Sequence, residues 1–366
     1  MPPYLTKRSP WFSFLVHPRG LEDLDHFSAS SLLRRYSESE QEYLEKSYSM
    51  KPFVAANLQI RSTPAWGELV AVMRPPEVLM TSAGRQEVHA AVDVALSRGT
   101  KVVGLGALTS PATGGGQTLL AGLPRGVTIT NGNAYTAAVV RRNVVEASQF
   151  LGLGNAARVG VVGCTGSVGA AASQLLAEAG FPLLLIGRTL KRALHLLPEL
   201  QSVAEFSGDL EALAQVEIVV LLTSDPTALL VPEHLRPGTV VIDCAQPANV
   251  TAPAPFEARG IRVREGGVVR IPGFHCDYDF RFEHPEETFA CMAETYLYAR
   301  EGIATHSVGR ASAVLAREME AIADRRGVSP RPLRLEGTEP ALRLTLEPAD
   351  VVALTSPEPA VGGRAM

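Results

Sequence analysis

The sequence lacks the features that would tie the chain to a membrane, to a secretory route or to nucleic acid. No run reaches the roughly 18–20 consecutive apolar residues that a membrane-spanning helix needs. The N-terminal stretch has only a short apolar run and no small-residue cleavage site, so we predict no signal peptide. The net charge is −4, which gives no reason to expect a nucleic-acid partner. We therefore expect a cytoplasmic protein without a transmembrane segment.

Cysteine is also scarce, and its spacing excludes a disulfide framework. The four cysteines are Cys164, Cys244, Cys276 and Cys291. They are scattered and form no CxxC pair, which is typical of reduced thiols in a cytosolic protein. We expect Cys164 and Cys244 to pack near a bound cofactor, because one lies in a glycine turn and the other at a strand end.

One cluster of polar residues resembles a metal site only superficially. His275, Cys276, Asp277 and Asp279 lie together in the stretch GFHCDYDF. Their spacing matches no standard zinc pattern. We therefore predict no metal ion and expect this stretch to line a site or to lie on the surface.

The chain does contain a glycine motif in the right context for a dinucleotide. Val159, Val161 and Val162 form a short apolar strand, which Gly163, Gly166 and Gly169 follow at GxxGxxG spacing. The next residues are good helix formers. Glycines at this spacing allow a tight turn, a close approach to a pyrophosphate and close packing of helix on strand, with the phosphate at the helix N-terminus.

The end of the following strand indicates which dinucleotide binds. An NAD enzyme usually has an acidic residue there for the ribose 2′-OH, whereas this chain has Arg188, Thr189 and Arg192. These groups suit a 2′-phosphate, so we predict NADPH; the alternative is an ordinary strand–turn–helix with surface charges. The expected cofactor contacts are Gly163, Thr165, Gly166, Ser167, Val168, Arg188, Thr189, Arg192, Ser224 and Gly267. Of these, Gly267 lies near the expected nicotinamide end.

Strands and helices alternate along most of the 366 residues, which predicts the α/β class. We expect an N-terminal α/β substrate domain over residues 1–150 and an NADP-binding domain over 151–275 built as a Rossmann-type doubly wound parallel sheet. A C-terminal helical segment over 276–330 should pack back on the N-terminal domain. Residues 331–366 should form a tail, partly disordered.

Cys291 is the candidate nucleophile. We expect its helix to start at Pro285, which places the thiol about one turn inside, where the helix N-terminus lowers a thiol pKa. A buried packing cysteine is the alternative. His306 is a candidate proton donor or a structural histidine, and Lys101 with Asp93 does not form a convincing lysine–aspartate dyad.

Several motifs in this order carry a resemblance to a known family. They are GLGALTS from Gly104, TNGNAYTA from Thr130, VVGCTGSVG from Val161, GRT from Gly187, VID from Val241, GGVV from Gly266, TFACMAE from Thr288 and HSVGR from His306. From about residue 12 to 327 the chain resembles the long-chain acyl-[acyl-carrier-protein] reductases that make fatty aldehydes in cyanobacteria. Its domain plan also resembles shikimate dehydrogenase.

The resemblance implies a catalytic role for Cys291. Its thiolate would attack a fatty acyl thioester, of acyl carrier protein or coenzyme A, and NADPH would reduce the acyl-enzyme to an aldehyde. An acidic carrier would dock on arginines, with Arg141 and Arg142 as candidates. An aldehyde-consuming enzyme or a membrane surface would be a transient partner. The alternatives are an NADP-dependent dehydrogenase of a small hydroxy or keto acid, and a nucleotide-sensing protein without turnover.

Overall fold

Two six-stranded sheets form the framework of the part of the chain that the structure describes. The structure is a computed structural model, and it describes residues 9–61, 63–223 and 230–335. In chain order the strands are β1 (Phe12–Val16), β2 (Phe53–Ile60), β3 (Trp66–Ala71), β4 (Val102–Leu105), β5 (Thr128–Thr130), β6 (Val159–Val162), β7 (Leu183–Ile186), β8 (Ala204–Ser207), β9 (Ile218–Leu221), β10 (Val240–Asp243), β11 (Arg262–Glu265), β12 (Val268–Arg270), β13 (Phe274–Cys276), β14 (Glu287–Phe289) and β15 (Ser329–Pro330).

Helices cover and connect these sheets. In chain order they are α1 (Leu21–His26), α2 (Ser28–Arg34), α3 (Glu40–Tyr48), α4 (Pro76–Leu79), α5 (Ser82–Ser97), α6 (Thr109–Ala112), α7 (Asn133–Phe150), α8 (Ser167–Glu178), α9 (Leu190–Leu196), α10 (Ala254–Glu257), α11 (Ala290–Glu301) and α12 (Ala313–Arg325).

The first sheet has the strand order β13-β2-β3-β1-β4-β5. Strands β3, β1, β4 and β5 are parallel, whereas β2 runs antiparallel to both β3 and β13. The first four residues of β1 are buried without polar alternation, which is typical of a parallel strand covered on both faces. The carboxyl ends of β1 and β4 therefore meet at one edge of the sheet, beside each other.

The second sheet has the order β11-β10-β9-β6-β7-β8, and every neighbouring pair is parallel. Strands β6, β7, β9 and β10 are buried throughout. The chain reverses its direction of travel across the sheet between β6 and β9, which creates a crevice at their carboxyl ends. This arrangement confirms the predicted Rossmann-type parallel sheet and the α/β class.

Three helices join the two sheets. Helix α7 leads from β5 to β6 and packs against α8, α11 and α12. Helix α11 packs against β1 and β4, so the C-terminal segment returns to the first sheet as predicted. Helix α12 packs on α7 and α8 instead.

Ion pairs between α7 and α12 involve both arginines that we predicted for carrier docking. Arg141 Nη2 donates to the two carboxylate oxygens of Glu320 at 2.6 and 2.8 Å, and Arg142 Nη1 donates to Asp324 at 2.7 Å. Their charges are thus engaged within the chain, which leaves them poorly suited to recognise an acidic partner.

The helix that carries Cys291 begins later than predicted. We expected a start at Pro285, but α11 begins at Ala290, after strand β14. Strand β14 pairs antiparallel with β12, and Phe289 lies opposite Val268. This pairing holds the preceding residues in an extended conformation, so Cys291 is the second residue of α11 rather than one turn inside it.

Two strands of the first sheet escaped the sequence analysis. The sequence predicts no strand at β2, and it places the residues of β13 in a polar cluster. Strand β13 has three residues and pairs with β2, which lies about 200 residues earlier in the chain. No local sequence pattern therefore predicts it. The predicted boundary at residue 275 falls inside this strand. Of the predicted tail over residues 331–366, residues 331–335 are described and residues 336–366 lie outside the described residues.

The buried carboxylate of Glu294 caps helix α7. Its Oε2 accepts the backbone N–H of Tyr135 at 2.7 Å, and its Oε1 accepts the hydroxyl of Thr130 at 2.5 Å. The Ser307 hydroxyl and the Ala134 N–H also donate to it. Burial raises the pKa of Glu294 and these donors lower it in part. The first N–H groups of a helix lack intrahelical partners, and no N-cap side chain serves α7, so this carboxylate takes that role.

We expect Glu294→Leu to lower the free energy of unfolding by roughly 3 kcal/mol, because it leaves several buried donors without an acceptor. Urea titration followed by circular dichroism measures this change. The matched control is Glu318→Leu, on the exposed side of α12, which should change stability by less than about 0.5 kcal/mol. Equal effects of the two substitutions would contradict the capping role of Glu294.

Candidate active site

The glycine turn between β6 and α8 has the close packing that its sequence predicts. Gly163 has φ +88°, a left-handed conformation that glycine adopts readily. A Cβ on Gly169 would lie 2.2 Å from the Gly163 carbonyl oxygen, so the first turn of α8 leaves no room for a side chain. Gly166, just before α8, is exposed. This cradle fits a pyrophosphate at the N-terminus of α8.

Other predicted cofactor residues lie along the same edge of the second sheet. Arg188 and Thr189 follow β7 and are exposed, and Arg192 is exposed on α9. Thr165 and Val168 are half-buried in the glycine turn and at the start of α8. The exposed basic end fits a 2′-phosphate by charge, and each assignment remains a prediction.

Ser167 joins three parts of the structure through its hydroxyl. The hydroxyl donates to the Gly309 carbonyl at 3.1 Å and accepts from Asn133 Nδ2 and the Ala311 N–H, both at 2.9 Å. It thereby links the glycine turn to α7 and to the HSVGR segment. Ser167 as a cofactor contact stays a prediction, and the predicted contact Ser224 lies outside the described residues.

Gly267 connects the predicted nicotinamide end to the candidate nucleophile. It follows β11 with φ +70°, and its N–H donates to Asn143 Oδ1 at 3.2 Å. An added Cβ would lie 3.7 Å from the Cβ of Cys244. The Gly267 carbonyl accepts the N–H of Ala290, the residue before Cys291, at 2.8 Å.

Cys291 packs directly on the turn that begins α7. A Cβ on Gly132 would lie 2.2 Å from the Cβ of Cys291, and Gly132 has φ +70°. Glycine is therefore required at this position both by space and by backbone conformation. The close approach fixes the start of α11 against the carboxyl end of the first sheet.

Cys291 lines a small pocket at the carboxyl edge of the first sheet. Its apolar walls are Phe14, Val16, Phe27, Tyr278, Phe280 and Phe289. The rings of Phe27 and Tyr278 lie 4.7 Å apart, and those of Phe280 and Phe289 lie 5.8 Å apart in an edge-to-face arrangement. The cavity measures about 50 Å³, which is room for roughly one or two water molecules.

A polar group forms the other side of the pocket. Arg19 donates through Nε and Nη2 to the two oxygens of Asp23 at 2.8 and 2.9 Å, and through Nη1 to Gln246 Oε1 at 3.0 Å. Burial acts to raise the pKa of Asp23, but the hydrogen bonds and charge of Arg19 hold it below its usual value. The pair is therefore ionised and self-neutralising. Because Gln246 follows β10, Arg19 also bridges the two sheets.

The thiol of Cys291 is protonated at neutral pH. Burial raises its pKa to about 12, and the carboxylate of Glu294 acts in the same direction. The backbone N–H groups of Met292 and Ala107 donate hydrogen bonds to it and lower the pKa in part. The expected activation by the helix N-terminus is thus outweighed by desolvation.

The remaining sequence candidates lie elsewhere. His306 is exposed, its Nδ1 accepts the N–H of Ile129 at 3.1 Å, and it is not among the residues lining the pocket. Lys101 is exposed before β4, at the opposite end of that strand from the pocket. Asp93 is exposed on α5.

The polar cluster around β13 does not assemble a metal site. His275 Nε2 lies 3.6 Å from Asp277 Oδ1, and the N–H of Tyr278 donates to the Cys276 sulfur at 3.3 Å. Within residues 9–61, 63–223 and 230–335, no three His, Cys, Asp or Glu side chains are grouped so that they could hold a metal ion.

Sequence reasoning missed the polar side of the pocket. His17, Arg19 and Asp23 follow β1 directly, and a polar stretch after a buried parallel strand is a signal for a ligand site. Gln246 carries no such signal, because its partner Arg19 lies 227 positions away.

No helix in the described part of the chain combines the length and the apolar character that crossing a bilayer requires.

Comparison with known proteins relates the chain to oxidoreductases. The profile of the Shikimate / quinate 5-dehydrogenase family matches residues 145–263, from the end of α7 into β11. The long-chain acyl-[acyl-carrier-protein] reductase of Synechococcus elongatus is 32% identical over 221 residues, which cover 56% of this chain and 63% of that protein. Aminotransferase PigE of Serratia sp. is 26% identical over 311 residues, 79% of this chain and 36% of that protein.

The chain thus spans less than two thirds of the length of either curated relative. Among solved structures, the NAD-dependent malic enzyme of Thermotoga maritima superposes with a TM-score of 0.40 at 14% identity, over 89% of this chain and 86% of that one. By sequence, the chain is related to an acyl-carrier-protein reductase and contains a region similar to shikimate / quinate 5-dehydrogenases.

The raised pKa of Cys291 predicts slow alkylation in the resting protein. At pH 8 iodoacetamide should modify Cys291 at least about tenfold more slowly than the same cysteine in urea-denatured protein, where burial is lost. The rate should still be rising at pH 10, because the thiolate fraction grows until the pH passes the folded pKa. Peptide mass spectrometry of timed samples measures both rates, and a plateau below pH 8 would contradict the effect of burial.

Proposed function

We propose that the protein is an NADPH-dependent oxidoreductase that reduces a fatty acyl thioester, carried by acyl carrier protein or coenzyme A, to the fatty aldehyde. Cys291 is the nucleophile and carries the acyl group. The observation that supports this most is the hydrogen bond from Ala290 to Gly267, which joins the thiol's helix to the predicted nicotinamide end of the second sheet. The relationship to the acyl-carrier-protein reductase supports the substrate class.

The chemistry divides between the two sheet edges. The Cys291 sulfur bonds to the thioester carbonyl carbon, the bond from that carbon to the carrier sulfur breaks, and the thiol proton leaves with the carrier thiol. NADPH, when bound, supplies the hydride for the second half. The glycine turn and the arginines after β7 hold the cofactor, and Cys291 holds the carbonyl in place while the bulky carrier departs.

The aromatic walls suit the substrate's acyl chain. Phe27, Tyr278, Phe280 and Phe289 present an apolar surface beside the thiol, and the neutralised Arg19–Asp23 pair adds no net charge. A cavity of about 50 Å³ is smaller than a long acyl chain, so we expect the pocket to widen when substrate enters.

We propose that the protein acts in the cytoplasm on a thioester of acyl carrier protein or coenzyme A. A long aldehyde is poorly soluble in water. The product therefore passes to an aldehyde-consuming enzyme or to a membrane surface.

A second candidate is an NADP-dependent dehydrogenase of a small hydroxy or keto acid. The match of the Shikimate / quinate 5-dehydrogenase profile to residues 145–263 favours it. Such an enzyme needs a cation for the substrate carboxylate, whereas Arg19, the cation lining the described pocket, is already bound by Asp23. On this alternative Cys291→Ala would leave activity largely intact.

Intact-protein mass spectrometry tests the acyl-enzyme. With palmitoyl-coenzyme A and no NADPH, the wild-type protein should gain the mass of one palmitoyl group, because a covalent thioester is the first product. Addition of NADPH should release it as palmitaldehyde, which chromatography detects. Cys291→Ala should gain no mass.

Cys276→Ala is the matched control, because Cys276 is also a partly buried thiol but does not line the pocket. It should acylate like wild type. An adduct that persists in Cys291→Ala and disappears in Cys276→Ala would identify Cys276 as the nucleophile instead. If neither coenzyme A nor carrier-bound substrate gives an adduct, the small-acid dehydrogenase is favoured.

The cofactor assignment predicts a selective loss of affinity. Arg188→Ala and Arg192→Ala should each weaken NADPH binding about tenfold, since each removes a charged partner of the 2′-phosphate, and should change NADH binding less than twofold. Fluorescence titration of the reduced nicotinamide measures both. Arg125→Ala, at an exposed position before β5, is the control. Equal weakening of both cofactors would contradict a 2′-phosphate site.

A further inference from the structure

The turn after β4 holds a strained residue beside Cys291. Gly106, Ala107 and Leu108 leave the carboxyl end of β4, and Gly106 and Ala107 line the same pocket as the thiol. Ala107 has φ +46°, a left-handed conformation that a residue with a Cβ adopts only when its surroundings impose it. Strain of this kind persists where neighbouring contacts fix the backbone.

Contacts on both sides fix this turn. The N–H of Gly106 donates to the Leu15 carbonyl at 3.0 Å, and a Cβ on Gly106 would lie 2.6 Å from the Phe14 ring. On the other side, the N–H of Leu108 donates to Nε2 of His17 at 3.2 Å. The peptide of Ala107 is thus held between β1 and the buried His17.

His17 is a neutral anchor rather than an acid or base. It is 4% exposed, its Nε2 accepts from Leu108, and its Nδ1 faces the Pro18 carbonyl at 3.0 Å as the donor. Burial lowers the pKa of His17 to about 4; Arg19 also acts to lower it, whereas the Pro18 carbonyl and Asp23 act to raise it. Both ring nitrogens are occupied, so neither is available to exchange a proton with a substrate.

The backbone N–H of Ala107 is the remaining hydrogen-bond donor in this turn. Ala107 and Cys291 line the same pocket, and the backbone N–H of Ala107 acts on the Cys291 thiol to lower its pKa. A carbonyl carbon bonded to that sulfur would bring its oxygen within reach of the same donor. We propose that the backbone N–H of Ala107 stabilises the oxyanion formed when Cys291 attacks the thioester, and that His17 is the positioning residue that fixes this donor. This inference rests on the proposed function.

The N–H of Ala107 acts while the thioester carbonyl is attacked and the carrier sulfur leaves. As the Cys291 sulfur bonds to the carbonyl carbon, the electron pair of the C=O bond moves to oxygen, and the oxyanion accepts the Ala107 N–H. When the C=O bond forms again, the bond to the carrier sulfur breaks and that sulfur leaves with the proton from Cys291. A fixed donor is worth more here than a mobile one, because it needs no reorganisation as charge develops.

The test compares acylation by palmitoyl-coenzyme A with alkylation by iodoacetamide in His17→Phe. Acylation passes through an oxyanion and alkylation does not. Acylation, followed by intact mass, should slow about tenfold to a hundredfold and still reach one palmitoyl group per protein, whereas alkylation of Cys291 should slow less than about threefold. Equal slowing of both reactions, or acylation at the wild-type rate, would overturn the role of His17.

The controls separate this inference from the proposed function. His306→Phe also removes a histidine that accepts a backbone N–H, in this case the N–H of Ile129 on β5. Because His306 does not line the pocket, this variant should acylate at the wild-type rate. If wild type itself gains no palmitoyl group from coenzyme A or carrier thioesters, the proposed function fails. If wild type acylates and His17→Phe acylates equally fast, only the oxyanion assignment fails.

Two more variants cover the case in which His17→Phe does not fold. His17→Gln retains an oxygen that can accept from Leu108 and should recover at least a third of the wild-type acylation rate, with an unchanged profile between pH 6 and 8. If the pH profile of acylation loses one of its limbs in His17→Gln, His17 acts as an acid or base instead. Ala107→Gly removes the strain and frees the donor, so acylation should slow several-fold without loss of stability; an unchanged rate would overturn the assignment.

Discussion

The carboxylate of Glu294 is the constraint on which the rest of this structure depends. It has no access to solvent, and it draws hydrogen bonds from β5, from the first turn of α7 and from Ser307. A buried carboxyl group is tolerated only where such hydrogen-bond partners surround it, so these segments have one arrangement that satisfies it. Cys291 lies one turn earlier on the same helix, and its position against Gly132 follows from that arrangement.

Three polar contacts then hold the two sheets together. Arg19 reaches Gln246, Ser167 reaches Gly309, and Ala290 reaches Gly267. Each joins a segment near the carboxyl edge of one sheet to a segment associated with the other. The crevice between the sheets is therefore a region of fixed spacing, which suits a reaction between a covalently held group and a bound cofactor.

Local patterns were enough to predict the parts of the fold that depend on neighbours in sequence. The Gly163–Gly169 turn, the buried strands of the second sheet and the thiol of Cys291 each have a signal within a few residues. The start of α11 could not be predicted, because the extended conformation of Glu287 depends on pairing with β12. The same holds for β13, which exists only beside β2.

The candidate site shows the same division between local and distant information. The helix position of Cys291 suggested an activated thiol, but the walls that desolvate it come from β1, β14 and the stretch around Tyr278. Arg141 and Arg142 looked like a free basic surface because their partners lie about 180 residues further along the chain. Charge and reactivity are set by neighbours that the sequence brings together only after folding.

The return of the chain to the first sheet has a consequence for its biosynthesis. Strands β1, β3, β4 and β5 leave the ribosome early, but β13 and α11, which complete that sheet and cover β1 and β4, follow the entire second sheet. All six strands of the second sheet are synthesised before β13, the last strand of the first sheet. During translation the first sheet therefore waits, with the faces of β1 and β4 that α11 covers still exposed, until the second sheet has been synthesised.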